Sequence, residues 1–363
     1  NSATDSGAVY VFTRSGTTWT QQAYIKASNT NAEDVFGHRL ALSGETLVVC
    51  APFEDSAATG LNGNQNDNSA AFAGAAYVFT RSGTTWSQQA YLKASNTGAD
   101  DRFGTAADIS GDTIVVTSGN EDSGASGVDG NQADNSVSNA GAAYVFERSG
   151  SIWSQQAYLK ASNPGADDEF GLPVALNRFG DTLVIGAVFE DSNATGINGE
   201  QSNNGATDSG ALYVFARSGA TWVQQAYLKA PNAEANDWLG NGKGLSVYDD
   251  RLVVGAANED SNATGIDGNQ ANNSAADSGA AYLYDRVGGQ WFYRSYIKAP
   301  NTNAGDQLCY NTVIAGSPTG VRMFVTSFAE DSAATTINGN QSDNSAADAG
   351  AVYVYDLSPQ PEV

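Results

Sequence analysis

The chain has few of the residues that usually carry catalysis, redox chemistry or nucleic-acid binding. Its 363 residues include two cysteines, one methionine and one histidine, His38, and 17 basic residues stand against 40 acidic ones. A formal net charge of −23 argues against nucleic acid as a partner, because binding a polyanion needs clustered lysines and arginines. The chain also lacks a run of about 18 apolar residues, so we expect no membrane-spanning helix.

What the chain has instead is a long internal repeat. Aromatic residues make up 10% of the sequence and return at fixed intervals, which is typical of an ordered repeat protein. Five tryptophans are spaced 67 or 69 residues apart, and six tyrosines keep nearly the same period. These two series are Trp19, Trp86, Trp153, Trp222 and Trp291, and Tyr10, Tyr77, Tyr144, Tyr213, Tyr282 and Tyr353.

Each repeat contains four short runs that predict β-strands. Residues 36–44 and 45–52 are joined by a Ser-Gly turn, as are residues 74–83 and 85–95, so each pair predicts a hairpin. Apolar residues alternate along these runs as in half-buried strands, and no window shows a helical period. Four antiparallel strands in about 70 residues are typical of one propeller blade, so the fold class predicted is all-β.

Counting strands predicts a five-bladed β-propeller of four-stranded antiparallel blades, with its ring closed by the N- and C-terminal strands. The N-terminal hairpin, residues 7–27, is expected to complete the blade begun by residues 308–328. Residues 350–356 are then a surplus strand, which could alternatively take the closing place, add to a blade edge, or add to another subunit. We expect one domain over residues 1–357 and a tail or linker over 358–363.

The repeated motifs resemble the FG-GAP repeat, found in the integrin α-subunit propeller and in many secreted bacterial proteins. The fullest match is Phe36-Gly37 followed by Cys50-Ala51-Pro52, and later repeats keep Gly186-Ala187 and Gly255-Ala256. The resemblance implies an extracellular or cell-surface protein, with its secretion signal absent from this chain. The chain departs from the integrin pattern in two ways. Its repeats are enough for five blades, and it lacks the acidic calcium loop between the first two strands of a blade.

Long polar loops between the second and third strands repeat Glu-Asp-Ser and an Asn/Asp-Gly-Asn/Glu-Gln motif. A further aspartate precedes each Phe-Gly position by two residues. Oxygen-rich side chains separated by glycines are the kind of ligands that a Ca²⁺ site requires. The alternative is that they order the loops through hydrogen bonds to their own backbone. The candidate calcium ligands are Asp34, Asp55, Asp101, Asp122, Asp168, Asp191, Asp237, Asp260, Asp306 and Asp331.

No catalytic constellation is visible, so we expect a non-catalytic binding or structural module that acts in adhesion or self-assembly through the long loops. Its partners would be an extracellular protein, a glycan or like subunits. A glycan-binding lectin is the first alternative, if the repeated aromatics form sugar-stacking platforms rather than packing between blades. A glycoside hydrolase is the second, although its active site needs one asymmetric pair of acids and these acids are copied in every repeat. The repeated lysines and arginines are expected to pair with nearby carboxylates.

The two cysteines lie in repeats that a five-bladed ring would make neighbours. Cys50 ends the second strand of the first complete repeat, and Cys309 replaces the Phe-Gly glycine of the fifth. Two unrelated substitutions to cysteine in neighbouring repeats are a less simple explanation than one bonded pair. We therefore predict a Cys50–Cys309 disulfide and an oxidising compartment. The alternative is two buried free thiols.

Overall fold

The computed structural model describes residues 3–317 and 320–357, and in this part of the chain every regular element is a β-strand. The predicted strands are confirmed with slightly tighter bounds. The strands are β1 Val9–Ser15, β2 Thr18–Ile25, β3 Arg39–Ser43, β4 Thr46–Ala51, β5 Ala75–Ser82, β6 Thr85–Leu92, β7 Ala107–Ser110, β8 Thr113–Ser118, β9 Ala142–Ser149, β10 Ile152–Leu159, β11 Val174–Leu176, β12 Thr182–Ala187, β13 Ala211–Ser218, β14 Thr221–Leu228, β15 Leu245–Tyr248, β16 Arg251–Ala256, β17 Ala280–Val287, β18 Gln290–Ile297, β19 Leu308–Ser317, β20 Gly320–Ser327 and β21 Ala351–Leu357.

The strands form six sheets, and this corrects the predicted count of five. Four sheets have four strands in chain order: β3 to β6, β7 to β10, β11 to β14, and β15 to β18. The other two are the hairpin β1–β2 and the three-stranded sheet β19–β20–β21. Repeated antiparallel sheets of this kind are consistent with propeller blades.

The end strands differ from the prediction that residues 7–12 would take the closing place beside β20. That place belongs to β21, which pairs with β20 from Val321↔Leu357 to Ser327↔Ala351. β1 pairs only with β2 among the described strands. A physical reason is loop closure. The loop of residues 328–350 brings β21 back to β20, whereas β1 is almost the whole chain away in sequence.

Tight turns connect the strands at one end of each sheet. β3 and β4 are separated by Gly44 and Glu45, and β5 and β6 by Gly83 and Thr84. Gly44 and Gly83 have φ angles of 55° and 62°, a left-handed conformation that glycine adopts at little cost. The other end of each sheet carries the long loops, which we define as residues 52–74, 119–141, 188–210, 257–279 and 328–350.

Apolar side chains from neighbouring sheets form the core. One buried cluster joins Val48 and Leu92 of the β3–β6 sheet to Ile114 and Tyr144 of the next sheet, with Phe103 between them. The ring of Phe103 meets that of Tyr144 edge-on at 5.3 Å between centroids. The aromatic of the Phe-Gly motif therefore packs one sheet against the next, which is the structural role of the motif here.

The chain divides into two compact units. One contains the described residues up to Thr182 together with Arg217–Val223, and the other contains Leu183–Ala216 and the described residues from Gln224 onward. The single domain predicted over residues 1–357 stays an expectation. The predicted tail, residues 358–363, lies outside the described residues.

Candidate functional site

The first set of candidate calcium ligands closes the long loops by hydrogen bonding to the backbone. Asp55 Oδ1 accepts a hydrogen bond from the N–H of Phe72 at 2.9 Å, near the other end of its loop. The other four aspartates accept an N–H at the matching position, 17 residues further along. These pairs are Asp122 with Asn139, Asp191 with Asp208, Asp260 with Asp277, and Asp331 with Asp348. This role is the loop-ordering alternative considered from the sequence.

The second set lies buried in the loops that precede each Phe-Gly position. Each aspartate accepts a hydrogen bond from the backbone N–H three residues earlier; Asp34, Asp101, Asp168, Asp237 and Asp306 share this contact. Burial raises the pKa of Asp101 to about 7 and that of Asp237 to about 8. Asp34 Oδ1 and Asp306 Oδ1 are buried with no hydrogen-bond partner among the described residues.

Calcium coordination by these aspartates remains a prediction. Within residues 3–317 and 320–357, no three His, Cys, Asp or Glu side chains are grouped so that they could hold a metal ion. The turn between β3 and β4 consists of Gly44 and Glu45, which is too short for the integrin type of calcium loop. A calcium site at the Asp34 or Asp306 type of position would therefore need further oxygens from the loop.

The strongest polar feature is the glutamate of Glu-Asp-Ser, which was not singled out from the sequence. Glu121 is 1% exposed, and Tyr158 and Asn96 donate hydrogen bonds to its Oε1 at 2.9 and 2.7 Å. Lys160 Nζ lies 2.8 Å from Oε2, and the N–H of Ser123 also donates to Oε2. We call this group, with the glutamate at its centre, the Glu–Lys–Tyr cluster.

The Glu–Lys–Tyr cluster recurs in all four four-stranded sheets. Its glutamate and lysine pairs are Glu54–Lys93, Glu121–Lys160, Glu190–Lys229 and Glu259–Lys298, with N···O distances of 2.8 to 3.0 Å. Burial lowers the pKa of Lys93, Lys160 and Lys298, and the adjacent glutamate offsets part of that effect. The expected pairing of these lysines with carboxylates is confirmed. The constant separation of 39 residues was the sequence signal for it.

The cluster fixes the base of the first four long loops, and the tips of the first, second, fourth and fifth long loops each carry an asparagine that is exposed to solvent. Asn64 is exposed, and its Oδ1 accepts a hydrogen bond from the N–H of Asn66. Asn131, Asn269 and Asn340 repeat this contact at the same loop position. Since the oxygen is used internally, the Nδ2 group is the donor that each of these exposed amides can offer to a partner. The third long loop has Glu200 at this position, and its Oε1 accepts a hydrogen bond from the N–H of Ser202.

Tryptophans at the repeat positions join neighbouring sheets, as expected from the sequence. Trp86 Nε1 on β6 donates to Gln22 Oε1 on β2, and Trp153 Nε1 on β10 donates to Gln89 Oε1 on β6. Trp222 and Trp291 make the same bond to Gln156 and Gln225. Trp153, Trp222 and Trp291 are buried, whereas Trp19 is 62% exposed. Arg148 and Arg286 lie over the rings of Trp153 and Trp291 and pair with Asp112 and Asp250.

Cys50 and Cys309 are both free and buried, so the structure does not contain the predicted disulfide. Cys50 belongs to the core cluster around Phe103, and Cys309 belongs to a different cluster with Leu308, Ile314 and Met323. The five-blade count placed them in adjacent repeats, and that count was wrong. Burial raises the pKa of each thiol to about 12, so both are poor nucleophiles in the folded protein.

The Phe-Gly positions and the strands around them can be compared with known families. The model of the FG-GAP repeat family matches residues 19–79, 86–146 and 153–215. The chain belongs to the FG-GAP repeat family. The three matches cover about half of this FG-GAP protein, and beyond them the β15–β18 sheet keeps the same strand order and the same Glu–Lys–Tyr cluster.

Other comparisons add little to this family assignment. A solved structure titled as a hypothetical selenium-binding protein from Sulfolobus tokodaii is similar at 10% identity, covering 98% of this chain and 86% of that one, with a TM-score of 0.37. No curated protein matches. A search of the described residues for a helix long and apolar enough to cross a membrane finds none.

Proposed function

We propose that this FG-GAP protein is a non-catalytic extracellular binding module that contacts its partner through the tips of the long loops. The observation that carries the proposal is the difference between the buried base and the exposed tip of the long loops. Buried Glu–Lys–Tyr clusters fix the bases of the first four loops, and exposed asparagine amides occupy the same tip position in four of the five loops. A rigid base with repeated exposed donors suits recognition of a surface rich in carbonyl or hydroxyl oxygens.

Of the partner classes considered, an extracellular protein surface fits best. A lectin would be favoured by exposed aromatics at repeated positions, and Trp153, Trp222 and Trp291 are buried between sheets. Amide donors suit backbone carbonyl acceptors, and multiple equivalent loops would add avidity to weak single contacts. Adhesion through several loops at once is the resulting proposal.

The test compares binding of labelled protein to arrays of immobilised secreted proteins and of glycans. A variant carrying Asn64→Asp, Asn131→Asp, Asn269→Asp and Asn340→Asp keeps the internal oxygen acceptor and removes the outward donor. We expect it to lose about tenfold or more of the binding to protein spots, the equivalent of about 1.4 kcal/mol.

The matched control substitutes Thr84→Ala and Ser151→Ala in tight turns at the other end of the sheets and should bind as the parent does. Equal binding by the Asp variant, or binding confined to glycan spots, would contradict the proposal. Failure of the parent to bind any spot would also count against it.

We further propose that calcium binds at the buried aspartates, and the pH dependence of stability tests this. The folded-state pKa values of Asp101 and Asp237, about 7 and about 8, exceed the ordinary value of 3.8. Between pH 4 and pH 8 the folded state therefore binds more protons than the unfolded state, and the free energy of unfolding should fall as pH rises.

Urea titrations in EDTA at pH 4.5 and pH 8 measure this fall in the free energy of unfolding. The internal control is Asp101→Asn, which lacks one of the two titrating aspartates and should show a smaller fall. Calcium bound to the ionised aspartates would raise stability at pH 8 and flatten the profile. An identical profile with and without calcium would rule out the calcium proposal. A stability that rises from pH 4.5 to pH 8 in EDTA would contradict the assigned pKa direction.

A further inference from the structure

The sheet β19–β20–β21 has a free edge where the four-stranded sheets have a fourth strand. No described residue pairs with the outer edge of β21, and Val352 and Val354 on this strand are 60% and 55% exposed. Residues 358–363 contain no tyrosine, tryptophan or lysine, so their sequence does not match the fourth strands of the other sheets.

The fourth strand of a complete sheet makes a fixed set of contacts through three consecutive residues. In the β3–β6 sheet these residues are Tyr91, Leu92 and Lys93. The N–H of Tyr91 donates to Asn62 Oδ1 at 3.0 Å, and Leu92 forms a β-bridge with Leu61. Lys93 Nζ and the Tyr91 hydroxyl both donate to Glu54 in the Glu–Lys–Tyr cluster.

The receiving half of this arrangement is present at the free edge of β21. Glu330, Ile337 and Asn338 occupy the positions of Glu54, Leu61 and Asn62. Glu330 is 1% exposed and accepts hydrogen bonds from Asn301 Nδ2 and the Ser332 N–H, but no described lysine or tyrosine donates a hydrogen bond to it.

The space beside this edge is open and large. Ile337 is 94% exposed, and a cavity of about 740 Å³ lies between β21 and the loop around it, lined by Glu330, Ile337, Asn338, Val352 and Tyr353 among others. The edge therefore combines unpaired backbone groups, exposed apolar side chains and a buried carboxylate without a cation.

The donating half is present on β2. Tyr24, Ile25 and Lys26 correspond to Tyr91, Leu92 and Lys93, yet Tyr24 is 56% exposed and Lys26 Nζ contacts Ser6 and the Gly7 carbonyl rather than a carboxylate. β2 is paired with β1 through Val9↔Ile25 and Tyr10↔Tyr24. The sequence Ala-Val-Tyr-Val, residues 8–11, is repeated at residues 351–354, so β21 offers β2 the same strand partner as β1.

We propose that the free edge of β21 is a strand-acceptor site that takes β2 of a second copy of this chain. β2 exchanges β1 for β21 of the neighbouring copy, in the register Val352↔Ile25 and Tyr353↔Tyr24. Lys26 then supplies the cation that Glu330 lacks, and Tyr24 supplies the phenol. Because donor and acceptor edges lie on different parts of the chain, the contact is head-to-tail and builds linear oligomers.

Sedimentation velocity of the full chain over a range of concentrations tests the proposal. We expect oligomers that lengthen with concentration and that shorten when a synthetic peptide of residues 18–28 is added. Lys26→Ala removes the donor and Glu330→Gln weakens the acceptor, so each variant alone should be monomeric. An equimolar mixture should give a dimer and no longer species, because each chain keeps one working edge.

A binding measurement guards against a variant that fails to fold. The labelled peptide of residues 18–28 should bind the parent protein about tenfold or more tightly than the same peptide with Lys26→Ala. Parent protein that stays monomeric at all concentrations would overturn the proposal. So would equal binding of the two peptides, or oligomers that both variants leave unchanged, as assembly through the long loops would give.

Discussion

Replacing Glu121 by Ala should lower the free energy of unfolding by about 3–5 kcal/mol, the cost of leaving a buried charge without its partner. The substitution would leave Lys160, which is fully buried, without the carboxylate oxygen 2.8 Å from its Nζ. It would also remove the acceptor for the Tyr158 hydroxyl and for Asn96. Urea denaturation followed by tryptophan fluorescence measures the change.

Two control variants test whether the loss of stability comes from the buried ion pair. Asp112→Asn breaks an exposed ion pair with Arg148 in the same unit and should cost about 0–1 kcal/mol. The double variant Glu121→Met, Lys160→Met removes both charges, so it should recover much of the loss, since apolar replacement of a complete buried pair is often neutral. A Glu121→Ala cost no larger than that of Asp112→Asn would show that the cluster contributes little to stability.

Gly141→Ala is the second substitution with a large expected effect. Gly141 directly precedes β9, has a φ of +78°, and its added Cβ would lie 2.1 Å from the carbonyl oxygen of Phe170. Contacts that short do not occur, so the loop bearing Phe170 must move away from the sheet. We expect a loss on the order of 4 kcal/mol or more, the range reached when a core contact and the backbone are strained together.

Gly150→Ala measures the cost of the left-handed conformation alone, without the cost of a close contact. Gly150 also has a left-handed φ, +63°, but nothing lies within 4 Å of the position its Cβ would take. It should lose only about 1–2 kcal/mol, the price of the left-handed conformation for a residue with a side chain. Melting curves and urea titrations of both variants make the comparison. Equal losses would mean that the close approach of Phe170 is relaxed without cost.

The sequence was sufficient for the local structure because its repeat carries the same signals each time. Ser-Gly turns, alternating apolar runs and the Phe-Gly pair predicted the hairpins around Phe103 and the packing of Trp153 between sheets. These features depend on neighbours in sequence or in the next repeat, so a pattern with a fixed period identifies them.

The strand pairing at the chain ends and the roles of individual acids could not be predicted from the sequence pattern. β1 and β21 have nearly the same sequence, so only the pairing in the folded chain decides which one lies beside β20. Glu121 and Asp122 are adjacent acids with different surroundings. One is buried against a lysine 39 residues away, and the other accepts a backbone hydrogen bond at the loop end. A pattern of acids alone left a metal site and backbone hydrogen bonding both open, because it does not show which hydrogen-bond donors are already present.

The tryptophan-to-glutamine bonds between sheets bear on how such a chain can change length in evolution. Gln89 accepts a hydrogen bond from Trp153, and Gln156 accepts one from Trp222, so each repeat carries the donor of one such bond and the acceptor of the next. A duplicated segment of 67 or 69 residues would bring a donor for the repeat before it and an acceptor for the repeat after it. Whole repeats could therefore be gained or lost by recombination without any compensating mutation at the junctions, whereas a partial repeat would leave one such bond unmatched.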